Sequence, residues 1–138
     1  MDQWRGAAGV CVDEQGRLLM VLQGKPEEEK RWSVPSGGRE GEETLEQTCI
    51  REVFEETGYR IRTTKPLQEK KGTIAGIDYS VTYFEIEITG GEAVIQDPDG
   101  LIYEIAWIPR EELERLPLSF EEDRAFLLHI TSTSTRGT

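Results

Sequence analysis

Apolar and polar positions along this chain fall into short blocks whose period changes from two to about 3.6 and back, the signature of strands and helices in one chain. Residues 7–12 and 17–22 are Val- and Leu-rich runs separated by Asp-Glu-Gln-Gly, which predicts two strands joined by a hairpin or a short turn. A charged loop follows over 24–31. Pro35, Gly37, Gly38 and Gly41 then predict a shaped loop without regular structure for several residues. It leads into a helix that starts near Glu43 or Thr44, carries acids in its first turn and ends with Gly58 just beyond it. Strand-like content returns at 67–73 and 79–88, Gly90 and Gly91 turn the chain, and 101–109 reads as another strand. Two acid-opened helical pieces at 109–116 and 119–130 follow, and 131–138 reads as a frayed tail.

Strands on both sides of a central helix, with a second helical region at the end, predict a mixed β-sheet sandwiched between helices, of α/β or α+β class. At 138 residues one domain is expected, spanning 1–130. Acidic residues outnumber basic ones 27 to 16, for a formal charge of −11. That balance repels nucleic-acid backbones and anionic membranes, so no general nucleic-acid binding and no membrane partner are expected. No apolar run approaches the roughly 20 residues of a membrane span, and the first ten residues lack a basic segment followed by an apolar one. The reading is cytoplasmic, and a homodimer is compatible with it. Cys11 and Cys49 lie in apolar contexts and are expected as buried free thiols. His129 is expected at a helix end.

Arg51-Glu-Val-Phe-Glu-Glu-Thr-Gly58 raises the chemical question. At about 100° per residue, Ile50, Val53 and Phe54 form one arc and Glu52, Glu55 and Glu56 the opposite one, which predicts three acids pointing away from the core together. A surface helix normally laces such acids with cations one turn away, and here only Arg51 and Arg60 are in reach. The glycine-rich loop brings bare backbone to the start of the same helix. A hard divalent cation answers both features, and Mg²⁺ or Mn²⁺ held by carboxylates brings a phosphorylated substrate with it. A solvated acidic face is the plain alternative.

From Gly37 there are five residues to Glu43, seven more to Arg51-Glu52, then Val53, any residue, Glu55-Glu56, any residue and Gly58. This resembles the Nudix box of the Nudix (MutT-like) hydrolases, with all seven of its fixed polar and glycine positions matched; Trp32 and Pro35 resemble the usual lead-in. The motif covers about a sixth of the chain, and the order of elements is similar to the Nudix fold over nearly all of it. Tyr59 stands where a bulky aliphatic residue is preferred, and Ser36 and Glu42 where many members have Gly, changes that bear on the loop and not on the three helix glutamates.

The resemblance implies a Mg²⁺- or Mn²⁺-dependent pyrophosphohydrolase. It would cleave a nucleoside diphosphate linked to another group X by metal-activated attack of water on phosphorus. Carried over residue by residue, it implies Glu52, Glu55, Glu56 and the carbonyl of Gly37 as metal ligands, with Arg51 orienting a box glutamate and Glu43 pairing at the helix start. The general base falls to Glu52, or to an acid outside the box among Asp97, Asp99 and Glu104. Pro66 and Tyr79 miss the spacings of the ADP-ribose and dinucleoside patterns, which leaves nucleoside triphosphates as the default. Trp4, Trp32, Tyr83 and Phe84 are aromatics that could stack on a base or serve as core. The alternative is a non-catalytic Nudix-fold sensor of a nucleotide metabolite. An isoprenoid-diphosphate isomerase on this fold would want a cysteine in the pocket.

Overall fold

The computed structural model describes the backbone of residues 3–135 and the side chains of residues 3–132. Seven strands and three helices follow the order β1 (Gln3–Val10), β2 (Leu18–Gln23), β3 (Arg31–Ser33), β4 (Ser36–Gly38), α1 (Leu45–Thr57), β5 (Tyr59–Ile74), β6 (Ile77–Gly91), β7 (Ile102–Ile108), α2 (Arg110–Leu113) and α3 (Arg124–Thr135). Strands β4-β1-β6-β5 make a mixed sheet in which β1 and β6 run parallel, and β3-β2-β7 make an antiparallel one.

Pleating sorts successive side chains onto opposite faces, and the two cores follow it. Ala7, Leu19, Phe84 and Ile86 face Cys49 and Val53 of α1. Their neighbours Ala8, Leu18, Met20 and Tyr83 face Leu113, Leu118 and Leu127 of the C-terminal segment. Helices therefore cover both faces of a mixed strand framework, the α+β arrangement expected.

Several elements differ from the sequence reading. Residues 7–12 and 17–22 do not form a continuous hairpin: one bridge, Val12 to Leu18, survives beside the turn, and β1 and β2 then part into different sheets. Gly37 and Gly38 are not irregular, because β4 pairs them with Ala7 and Gly6 of β1. Their lack of side chains weakens a strand locally, but a long-range partner outweighs it. Strand β5 begins directly after Gly58, eight residues before the expected 67–73, and runs to Ile74. Helix α3 continues to Thr135, and Thr131 is buried with its hydroxyl donating to the Leu127 carbonyl, so residues 131–135 of the expected tail are helical and residues 136–138 lie outside the described residues. His129 is consequently an exposed mid-helix residue.

Candidate active site

Helix α1 carries the box. Thr44 caps it by accepting the Gln47 backbone N–H at 3.1 Å, while the Gln47 side chain accepts the Thr44 N–H at 2.9 Å, a reciprocal capping box. Gly58 closes the other end at φ +81°, its N–H donating to Phe54. A Cβ there would also collide with the backbone of Glu92 and Val94. That close approach matters, because the loop after β6 uses it to donate Val94 N–H to the Thr57 carbonyl and Gln96 N–H to the Glu55 carbonyl, both at 2.9 Å. The loop is thereby fixed against the end of α1 with Asp97 beside Glu56.

The buried stripe of α1 is Cys49, Val53, Glu56 and Thr57, and Ile50 is exposed. The arc expected to hold Ile50 in the core is rotated. A helical wheel gives relative angles but not which arc meets the sheet, and here that stripe turns Glu52 and Glu56 onto β4 instead of into solvent. Glu56 is only 7 % exposed and accepts the Ser36 N–H at 3.3 Å. Glu52 lies against Gly37 so closely that a Cβ on residue 37 would overlap its carboxylate. The preference for glycine at 37 is thus steric.

Electrostatics sharpen the arrangement. Burial first, and then the charge of Glu52, raise the Glu56 carboxyl to about 9 from an ordinary 4.5, with Asp97 adding to the effect. Burial also raises Glu52, opposed by Arg51. Two carboxyls packed together largely out of water form a donor set suited to a hard cation. Arg51 organises the rest. Its Nε donates to Glu43 at 2.7 Å, Nη2 to Glu43 at 3.0 Å and to the Gly38 carbonyl at 2.9 Å, and Nη1 to Glu52 at 2.9 Å and Glu55 at 3.4 Å. Glu43, also bonded by the Glu40 N–H and the Thr48 hydroxyl, is lowered to about 2, chiefly by Arg51.

The structure therefore brings Glu52, Glu56, Gly37 and Arg51 together, with Glu55 turned toward Arg51. Among the described residues no three acidic, imidazole or thiol groups converge on one point, so Glu55 stands at the rim. Asp97 is near Glu56 but accepts the N–H groups of Asp99, Leu101 and Ile102. Asp99 is an exposed loop residue. Glu104 is exposed on β7 and alternates with Ile105 and Trp107, which pack toward α1, so it stands on the other face of its strand. Cys11 and Cys49 are buried free thiols, pushed up to about 11 and 12 by desolvation, with no role in the cluster.

A cavity of about 390 Å³ opens beside the cluster, reaching Ser36 and Gly37 at one end. Trp4 and Tyr83 line it, whereas Trp32 and Phe84 are packed into the two cores. Sequence reasoning missed Lys70, Phe120 and Glu122 on its wall; β5 and the turn before α3 bring them together across about fifty positions, and no local pattern marks that.

The NUDIX domain model matches residues 2–129, and the chain belongs to that family. It is 34% identical over 110 residues to a MutT-like protein of Streptomyces ambofaciens, covering 79% of this chain and 66% of that one. It is 42% identical over 55 residues to the human nucleoside diphosphate-linked moiety X motif 6, covering 40% of this chain and 17% of that protein. The chain thus spans less than two thirds of the length of these relatives. The solution structure of the E. coli ORF135 protein shares the fold with a TM-score of 0.77 at 18% identity, covering 100% of this chain and 96% of that one. No helix among the described residues is long and apolar enough to cross a membrane.

Proposed function

We propose that the chain is a divalent-metal-dependent pyrophosphohydrolase that cleaves the phosphoanhydride of a nucleotide or nucleotide derivative. The observation that carries this reading is the Glu52–Glu56 pair: two carboxyls packed together largely out of water, over Gly37, where a Cβ would overlap the Glu52 carboxylate, and next to an aromatic-lined cavity. Two acids packed against each other cost stability in such a place, and a cation seated between them would remove the cost. Glu52, Glu56 and the Gly37 carbonyl would hold Mg²⁺ or Mn²⁺, with Glu55 joining from the rim. Bound there, the metal supplies charge neutralisation at phosphate oxygens and a lowered pKa for its water.

The chain's own residues do the remainder. Arg51 fixes the Glu52 carboxylate through a charge-assisted hydrogen bond, and Glu43 anchors Arg51. Glu52 or Asp97 accepts the proton of the attacking water; Glu104, on the far face of β7, and Asp99, out in the loop, are poorer bases. The cavity seats the organic part of the substrate, and its apolar walls exclude water. Purified protein should release phosphate or pyrophosphate with Mg²⁺ or Mn²⁺ from at least one class among canonical and oxidised nucleotides, nucleotide sugars, ADP-ribose and dinucleoside polyphosphates. Inactivity across that panel would replace the hydrolase with a metabolite sensor.

A further inference from the structure

The cavity lies on the face of the β4-β1-β6-β5 sheet opposite α1, and three backbone positions without side chains shape its floor. A Cβ on Gly6 or Gly38 would stand 2.6 and 2.9 Å from the Trp4 indole, and one on Gly72 would stand 2.6 Å from the Tyr79 hydroxyl. Both rings therefore lie down on bare backbone. Trp4 remains 45 % exposed, an uncovered aromatic surface of the kind on which a planar ring stacks. Phe120, itself partly exposed, stands on the wall beside Lys70.

The wall carries one charged pair. Lys70 donates to Asp123 at 3.0 Å and to Glu122 at 3.2 Å, and its ammonium sits 4.5 Å from the Phe120 ring centroid. The two carboxylates differ. Asp123 is buried and also takes the Tyr83 hydroxyl at 2.6 Å, so it is committed to the fold. The Glu122 side chain is 57% exposed, and its contact with Lys70 is the longer. A ligand that offers an acceptor to the ammonium and a donor to the carboxylate on adjacent atoms replaces both halves of that contact at once.

We propose that this cavity selects a planar ring with a carbonyl next to an N–H, the lactam edge of hypoxanthine, guanine or uracil, stacked on Trp4 and read by Lys70 and Glu122. An adenine or cytosine edge presents the reverse order, an amino group against the ammonium and a bare ring nitrogen against the carboxylate, and both contacts are lost. The ring's phosphates would extend past Ser36 and Gly37 toward Glu52 and Glu56, and to that extent the inference rests on the hydrolase reading.

Inosine and adenosine monophosphates differ at this edge alone and contain no anhydride, so calorimetric titration of each with Mg²⁺ isolates the cavity from turnover. Inosine monophosphate should bind at least about tenfold more tightly. Lys70→Met and Glu122→Ala should each bring the ratio below about threefold, Lys70→Arg should preserve it, and Trp4→Leu should weaken both ligands alike. Glu122 is exposed enough that its variant reports even where Lys70→Met fails to fold. Equal binding of the two nucleotides, no binding of either, or a ratio unmoved by Glu122→Ala overturns the assignment. Hydrolysis of inosine and adenosine triphosphates by the same samples separates the two readings: preference in binding without hydrolysis of any phosphoanhydride sinks the hydrolase alone, and hydrolysis without preference sinks the lactam site alone.

Discussion

Two carboxyls of this protein are almost equally buried on opposite sides of one sheet, and their surroundings differ in kind. Asp123, 5% exposed, has the Lys70 ammonium at 3.0 Å and the Tyr83 hydroxyl at 2.6 Å. Glu56, 7% exposed, has a backbone N–H at 3.3 Å, and its other polar neighbours are the acids Glu52 and Asp97. Burial opposes the charge of Lys70, yet its bonds to Tyr83 and Asp123 hold its pKa above the ordinary value. Around Glu56, burial and the charge of Glu52 push toward the neutral acid and outweigh the single Ser36 N–H. A satisfied buried pair holds a fold together; a buried like-charge pair is tolerated where something outside the chain completes it. On the proposed reading, the contrast separates a structural acid from a metal-binding one.

Glu56→Gln is the sharpest way to break that contrast. Partners that merely orient metal ligands are worth about 10- to 100-fold, so losing a ligand carboxylate should cost more than about 100-fold in kcat/KM. The same substitution removes an uncompensated buried acid, so the metal-free variant should melt above the wild type at pH 8. Full turnover, or a lowered melting temperature at that pH, would assign Glu56 a structural role like that of Asp123.

The pH dependence of metal-free protein tests the same point without a mutation. Glu56 has a folded pKa of about 9 against an ordinary 4.5, so the folded state binds more protons between those values. Stability is then fully present below about 4.5 and is lost as pH rises toward 9. Glu43 acts with the opposite sign: lowered to about 2, it stabilises above the ordinary value, and that contribution is lost as pH falls through the acid range. Melting scans in chelator should decline from pH 5 to 9, and saturating Mg²⁺ or Mn²⁺ should remove the decline. A flat profile in chelator would contradict the buried acid pair.

Asp123→Asn should act on the fold and leave the metal chemistry alone. Removing one partner of a buried, hydrogen-bonded charge pair costs about 3–5 kcal/mol, and Glu122 remains to take part of the Lys70 charge, so about 2–3 kcal/mol is expected. Chemical denaturation measures it. A cost below about 0.5 kcal/mol, the level of an ordinary surface change, would mean that the Asp123 network is not structural.

The sequence carried one half of this comparison and hid the other. Glu52, Glu55, Glu56 and Arg51 lie within six positions on one helix, between a Thr44 cap and a Gly58 stop, so local rules are enough to place them. The wheel still misassigned their direction, because Ile50 and Cys49 both neighbour Val53 and only the sheet decides which side is buried. Gly37 and Gly38 looked irregular because β1, their partner, lies about thirty positions upstream. Lys70 and Asp123 are 53 apart, joined by a strand register and a C-terminal turn that no short pattern encodes.

Exchanging the two organising cations sharpens the comparison last. Lys70 works as a charge between two carboxylates and over an aromatic ring, so Lys70→Arg should fold with about wild-type stability and keep its pairings. Arg51 works as a fork: Nε and Nη2 hold Glu43, Nη2 also reaches the Gly38 carbonyl, and Nη1 holds Glu52 and Glu55. A lysine at 51 cannot reach Glu43, the loop carbonyl and the box glutamates together. Arg51→Lys should therefore lower kcat by about tenfold with a smaller change in KM, since it loosens the carboxylate proposed to hold the metal and spares the cavity. It should also raise the Mg²⁺ concentration needed for half-maximal rate. An Arg51→Lys enzyme with normal kcat and normal metal demand would reduce Arg51 to a surface pair and leave Glu52 to position itself.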